Sequence, residues 1–190
     1  MSLILETKRL RLRRFQMEDA ETVAALANNW NVARMLGRMP YPYSIDHARD
    51  FMSRIGSDQD SKTDFVFAFT TGGPAMGAIG LHLRDGGAFE LGYWLGEPYW
   101  GKGYATEAAE RLVRFAFTDL DIERLTAGHF YDNPPSGRVL SKVGFRYTHD
   151  DFRECLARGG KVLCHEMSQL RDDWRTRRTR SGSTVANMTV

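Results

Sequence analysis

Two stretches of this chain hold residue types at spacings able to do chemistry. In Trp100-Gly101-Lys102-Gly103-Tyr104-Ala105-Thr106, two glycines lead into a run with helical apolar spacing, Ala105, Ala108, Ala109, Leu112, Val113 and Ala116. A strand, a glycine-rich turn and a helix in that order turn backbone N–H groups and the positive helix end onto an anion, usually a phosphate. Gly101 and Gly103 are placed to take positive φ and to let a ligand approach the backbone. The turn lacks the G-x-x-x-x-G-K-[ST] pattern. It is not G-x-G-x-x-G either, since Thr106 stands where the third glycine would fall, so mononucleotide and dinucleotide folds lose support. The second stretch, Asn133-Pro134-Pro135-Ser136, has an N-cap residue and prolines suited to a helix start. The five histidines, His47, His82, His129, His149 and His165, show no HxxH or HExxH spacing. Cys164, His165 and Glu166 alternate sides along a strand, so no metal site is expected. Cys155 and Cys164 read as reduced structural thiols.

The elements that must position these residues follow from periodicity. Glu6 to Phe15 alternates Leu10 and Leu12 with Arg9, Arg11 and Arg13, a strand with one apolar face and an arginine stripe on its wet face. Met17 to Leu36 reads as a helix, and a second starts at the cap Ser44, with Met39 to Tyr43 as the loop between them. Phe65–Thr70 and Met76–Leu83 form a hairpin across Thr71–Pro74, and Ala88–Leu95 is the next strand. The Trp100–Thr106 turn and its helix come next, then a strand at Arg124–Phe130 and a short helix from Asn133 to Lys142 stopped by Gly144. Strands starting at Phe145 and Lys161 close the series.

In this order the sequence resembles the GNAT acetyltransferases, most closely the branch of RimJ/RimL ribosomal-protein N-terminal acetyltransferases. The opening LETKRLRLRRF, the block FELGYWLGEPYWGKGYATEA and the block NPPSGRVLSKVGF carry the resemblance, which spans about Leu5 to Leu170. It implies an α+β fold, an α/β three-layer sandwich in some schemes. This is the GNAT acyl-CoA N-acyltransferase fold, a mixed, mostly antiparallel sheet flanked by helices and splayed between the fourth and fifth strands. Acetyl-CoA, as acetyl donor, would lie in the splay, its pantetheine beside Trp94 and Leu95 and its pyrophosphate on the amides of Gly101 to Thr106. Lys102 would reach toward phosphate, Arg138 or Lys142 the adenosine end, and Asn133 the pantetheine. Trp100 stands where the general pattern has Gln or Arg.

The resemblance further implies direct transfer to an amine without an acyl-enzyme. Glu90, facing the splay, is the implied general base, with a strand-surface carboxylate as the bland alternative. The family's general-acid tyrosine position is Leu140, so the acid role passes to Ser136. Trp30, Tyr41, Tyr43, Tyr93 and His82 are candidates for the acceptor side, where packing explains them equally well. The acceptor is a protein or peptide N-terminal α-amine, or alternatively a small-molecule amine. A catalytically silent CoA-binding module is the competing class, and a homodimer is a family habit.

Composition sets the outer bounds. The 190 residues carry 26 Lys+Arg against 24 Asp+Glu and are 42% hydrophobic, which fits one domain with a sizeable core, expected over residues 1–170. No apolar run reaches the roughly 20 residues of a membrane-spanning helix. The N-terminus shows no cleavage pattern, so the expected compartment is the cytoplasm. Residues 171–190 hold five arginines against Asp172 and Asp173, a local +3. They read as a basic, frayed tail, without the interleaved aromatics that would suggest nucleic acid.

Overall fold

A computed structural model of the chain describes residues 3–60 and 63–183. The strands are β1 (Leu5–Glu6), β2 (Arg11–Arg13), β3 (Asp64–Thr70), β4 (Gly77–Leu83), β5 (Phe89–Leu95), β6 (Arg124–Phe130), β7 (Arg146–Cys155) and β8 (Gly160–Leu170). The helices are α1 (Ala20–Ala27), α2 (Trp30–Ala33), α3 (Ile45–Asp60), α4 (Tyr104–Thr118), α5 (Pro134–Val143) and α6 (Arg171–Ser183). All eight strands form one sheet in the order β1-β2-β3-β4-β5-β6-β8-β7. Every pairing is antiparallel except β5 with β6, which is parallel and holds only for Phe89↔Leu125 and Glu90↔Thr126. Past Glu90 the two strands part, and this is the expected splay. It falls between the fifth and sixth strands because the first expected strand is two.

Alternation along the strands sends odd and even residues to opposite faces. Phe67, Ile79, Leu81, Leu91, Leu95, Leu125, Ala127 and Met167 pack with Leu112, Val113 and Ala116 of α4 and Leu140 of α5. On the other face Val66, Ala68, Ala78 and Trp94 pack under α1 to α3, against Val23, Phe51, Met52 and Ile55. Each face thus has its own apolar layer, and the splay opens between them.

Three expectations change. The Glu6 to Phe15 strand breaks at a turn where Thr7 N–H donates to Leu10 O at 2.9 Å, because the Thr7 hydroxyl and Glu107 capture the local N–H groups. The helix over Met17 to Leu36 is interrupted at Asn28-Asn29, where the Asn29 side chain accepts from Asn31 N–H and starts α2 afresh. The tail expected to fray after Trp174 is helical to Ser183. Trp174 packs on Phe117 with ring centroids 5.5 Å apart, and Arg177 donates to Lys142 O at 2.9 Å, supplying contacts that periodicity does not reveal. Residues 184–190 of that tail lie outside the described residues.

Candidate active site

The glycine turn folds as its residue types require. Gly101 and Gly103 have φ of +73° and +78°, the left-handed region that L side chains resist. Gly103 is the N-cap of α4 and offers no side-chain cap, so the first helical N–H groups have no side-chain acceptor from the cap residue. Lys102 lies over the Tyr99 ring at 5.7 Å. Trp100 has a role of its own: its indole N–H donates to Leu95 O at 2.6 Å, tying the turn to the end of β5.

Arg9, expected on a wet face, braces this turn from outside. Its guanidinium donates to Lys102 O at 2.9 Å, pairs with Glu107 at 2.6 Å and lies over the Tyr104 ring. Replacing Arg9 by Ala should weaken acetyl-CoA binding about three- to tenfold by calorimetry, the equivalent of one braced hydrogen-bond network. Unchanged affinity would mean the turn holds its shape without this strut.

Tyr93 and Ser136 meet across the splay. Tyr93 leaves β5 on the α4–α5 side, Ser136 sits in the first turn of α5 after β6, and their hydroxyls are 2.9 Å apart. Asn133 caps α5, its side chain accepting from Ser136 N–H at 3.3 Å. Burial pushes the Tyr93 phenol up to about 12 against the opposing Ser136 hydrogen bond, so it stays protonated at neutral pH. The Tyr93 side chain is on the face opposite Trp94, where its hydroxyl meets Ser136.

The opposite face carries a polar row in register across three strands, Asp64↔His82↔Glu90. His82 Nδ1–H donates to Asp64 Oδ1 at 2.8 Å, which leaves Nε2 unprotonated in the neutral ring. Burial is the main cause that lowers the His82 pKa, with Arg38 and Arg84 adding to it and Asp64 opposing, so the ring is neutral at pH 7. Beyond the row, Gly80 pairs with Gly92. A Cβ on Gly92 would meet only the edge of the His82 ring, at 3.8 Å, so the space above this strand is open beside the splay.

Glu90 is held by two arginines. Arg84 reaches it at 3.0 and 3.2 Å and Arg153 at 2.9 Å, while Arg153 grips Glu166 with two further bonds. Burial alone would raise the Glu90 pKa, but these guanidinium groups hold it below the ordinary carboxylate value. Glu90 is therefore a carboxylate anchored from two sides. Arg153 and Glu166 escaped sequence reasoning because the bond from Arg153 to Glu90 spans 63 residues. His82 against Asp64 was within reach, since the hairpin register alone sets them opposite each other.

Other candidates sit apart. Trp30 and Tyr41 stack edge to face on the exposed surface, with centroids 5.3 Å apart. Arg138 is exposed, and with Ser141, Lys142, Tyr147, His129 and His165 it lines a cleft of about 460 Å³ behind α5. His129 is buried there, its Nδ1–H donating to Phe130 O and its Nε2 accepting from Tyr147, which leaves it structural. Among the described residues no His, Cys, Asp or Glu group of three could hold a metal, and no helix is long and apolar enough to cross a membrane.

The loop between α2 and α3 is tied to the connection between β7 and β8. Leu156 N–H donates to Gly37 O at 3.0 Å, Arg158 to Arg34 O at 2.7 Å, and Asp132 joins Arg34 and Arg158. Two segments far apart in sequence are thus stitched into one wall.

The sheet thus has a short parallel step between two central strands, with the start of α4, which has no side-chain cap, following β5. A family model described as an acetyltransferase (GNAT) domain matches residues 9–146, and the chain belongs to the GNAT acetyltransferase family. It is 30% identical over 146 residues, 75% of this chain and 82% of its relative, to the uncharacterized N-acetyltransferase p20 of Bacillus licheniformis. The RimL ribosomal L7/L12 α-N-protein acetyltransferase, solved with coenzyme A, shares the fold with a TM-score of 0.77 and 16% identity. That match covers 90% of this chain and 99% of that one. The microcin C7 self-immunity acetyltransferase MccE, solved with acetyl-CoA and AMP, matches with a TM-score of 0.75 and 18% identity over 86% and 93% of the two chains.

Proposed function

We propose that this acetyltransferase moves the acetyl group of acetyl-CoA directly to a primary amine, with the donor on the Tyr93–Ser136 side of the splay and the acceptor on the His82 side. The observation that carries this reading is the pair of polar sites on opposite faces beside the splay, one able to accept a proton and one able to donate a hydrogen bond. Acetyl-CoA supplies the activated thioester, its pyrophosphate on the amides of Gly101 to Thr106 and its pantetheine along the unpaired edge of β5. His82 Nε2 takes the proton of the attacking amine, directly or through a water. The Tyr93 hydroxyl, backed by Ser136, hydrogen-bonds the departing sulfur. A phenol at about 12 is a weaker acid than an aliphatic thiol at about 8.5, so this pair stabilises the departing thiolate by hydrogen bonding, and the thiolate takes its proton from solvent.

RimL and MccE, by their names, act on a protein α-amine and within a microcin system. The hydrogen bonds that tie residues 34–37 to Asp132, Leu156 and Arg158 support a fixed wall on the proposed acceptor side, which suits a small amine or a single N-terminal residue. Thiol release from acetyl-CoA on an amine panel that includes short peptides tests the reading. Turnover on one acceptor class is expected, with kcat about 10- to 100-fold lower in Tyr93→Phe and in Ser136→Ala. Acetyl-CoA binding with no release on any acceptor would favour the silent CoA-binding module instead.

A further inference from the structure

The β5–β6 ladder stops at Glu90↔Thr126, yet beyond it the Tyr93 and Ser136 hydroxyls still meet at 2.9 Å. Two strand ends that have parted need a tie from outside the sheet to keep such a distance. The residues of and around α2 supply one. At its start the Asn29 side-chain N–H donates to Glu97 Oε2 at 2.6 Å, and that of Asn31 to Glu97 Oε1 at 3.1 Å. At its end Arg34 donates to Asp132 Oδ2 at 3.0 Å, while Arg158 donates to both Asp132 oxygens at 2.9 Å and to Arg34 O at 2.7 Å. Glu97 lies just past the end of β5, four residues after Tyr93, and Asp132 just past the end of β6, four before Ser136. Between these anchors Val32 and Ala33 are buried in the layer of α1 to α3, and Asn29 caps the helix, so α2 is a fixed spacer. Burial opposes ionisation of Asp132, but the bonds from Arg158 and the charge of Arg34 hold its pKa below the ordinary carboxylate value.

Resting on the proposed acetyl transfer, we infer that α2 is a clasp across the splay, and that Glu97 and Asp132 are positioning residues that act through it on the Tyr93–Ser136 pair. Each carboxylate anchors one arm, and the helix between them sets how far apart the arms stand. A shift of about 1 Å in such a pair is enough to cost catalysis dearly, because a hydrogen bond to the departing sulfur depends on both distance and direction. A clasp also differs from two independent surface contacts in one measurable way. Opening either end frees both arms, so the losses from opening the two ends do not add.

The test opens the clasp at one end with Glu97→Ala, at the other with Asp132→Ala, and at both. Thiol release from acetyl-CoA should show kcat lowered roughly 3- to 30-fold in each single variant, and the double variant no slower than the worse single. The acetyl-CoA Kd should stay within about twofold of wild type, since Arg9 and Trp100 brace the glycine turn separately. Glu97→Gln, which keeps an oxygen for one asparagine, should restore most of kcat. In a Tyr93→Phe background Glu97→Ala should cost less than about twofold, because the pair through which it acts is gone. Additive losses, or an undiminished loss in Tyr93→Phe, would overturn the inference. Hydrogen exchange on the protein without acceptor separates this inference from the reading it rests on. In Glu97→Ala the amides of residues 131–137, on the arm across the splay, should exchange roughly tenfold faster. Faster exchange there with no thiol release even from wild type supports the clasp and counts against acetyl transfer. A change confined to residues 28–33 would overturn the clasp. Glu97 is exposed, so its variants fold whether or not Asp132→Ala does, and the exchange result then decides alone.

Discussion

Replacing His82 by Gln is expected to lower kcat by roughly 10²- to 10⁴-fold, the usual worth of a positioned base. The acetyl-CoA Kd should hardly move, because the ring lies on the sheet face opposite Tyr93 and Ser136. The pH profile carries the specific signature. Burial lowers the His82 pKa, so wild-type kcat should rise with pH through an apparent value below the ordinary 6.5 and then level off, and this limb should vanish in the variant. Asp64→Asn should cost less and move the limb further down, since Asp64 favours the imidazolium and fixes the tautomer. Glu90→Gln is the control: a carboxylate already saturated by Arg84 and Arg153 has little basicity to lose, and kcat should fall by less than about tenfold. A larger loss in Glu90→Gln than in His82→Gln would return the base to the carboxylate.

That contrast marks what the sequence could and could not convey. The glycine turn was legible because positive φ leaves a signature in residue type at Gly101 and Gly103, and the α5 start because Asn133, Pro134 and Pro135 are capping chemistry. The splay was legible through the ordered motif blocks and not through periodicity. Long-range polar pairing left no local trace. Arg9 meets Glu107 across 98 residues, and both sit in segments that read adequately as wet surface. Trp174 was the one apolar residue in a stretch of arginines, too little for a period, yet one aromatic docked on Phe117 suffices to seat a helix. Tyr93 and Trp94 are neighbours on opposite faces. Which one meets Ser136 of α5 follows from register, known only once Glu90↔Thr126 is fixed as the last paired step.

Arg153→Ala is expected to be the most destabilising of these changes. Arg153 lies on β7 and joins Glu166 of β8 to Glu90 of β5, so it ties the two halves of the sheet where the β5–β6 ladder is only two residues long. Its removal leaves Glu166, whose side chain is 10% exposed, unpaired, while Glu90 keeps only Arg84. Breaking a fully buried ion pair costs about 3–5 kcal/mol. Because Arg153 is 33% exposed and Glu90 retains a partner, about 2–3 kcal/mol is the expected loss here. For a chain of this size that is a fall of roughly 4–12 °C in Tm. The pH dependence has a definite sign. Glu90 has a folded pKa below its ordinary 4.5, so its stabilisation is present above that value and is lost as pH falls through the folded one. The Tm gap between wild type and Arg153→Ala should therefore be full at pH 7 and narrow below about 4.5. A gap that stays constant down to acid pH would mean that the cost lies in lost packing of the arginine stem and not in the charges it joins.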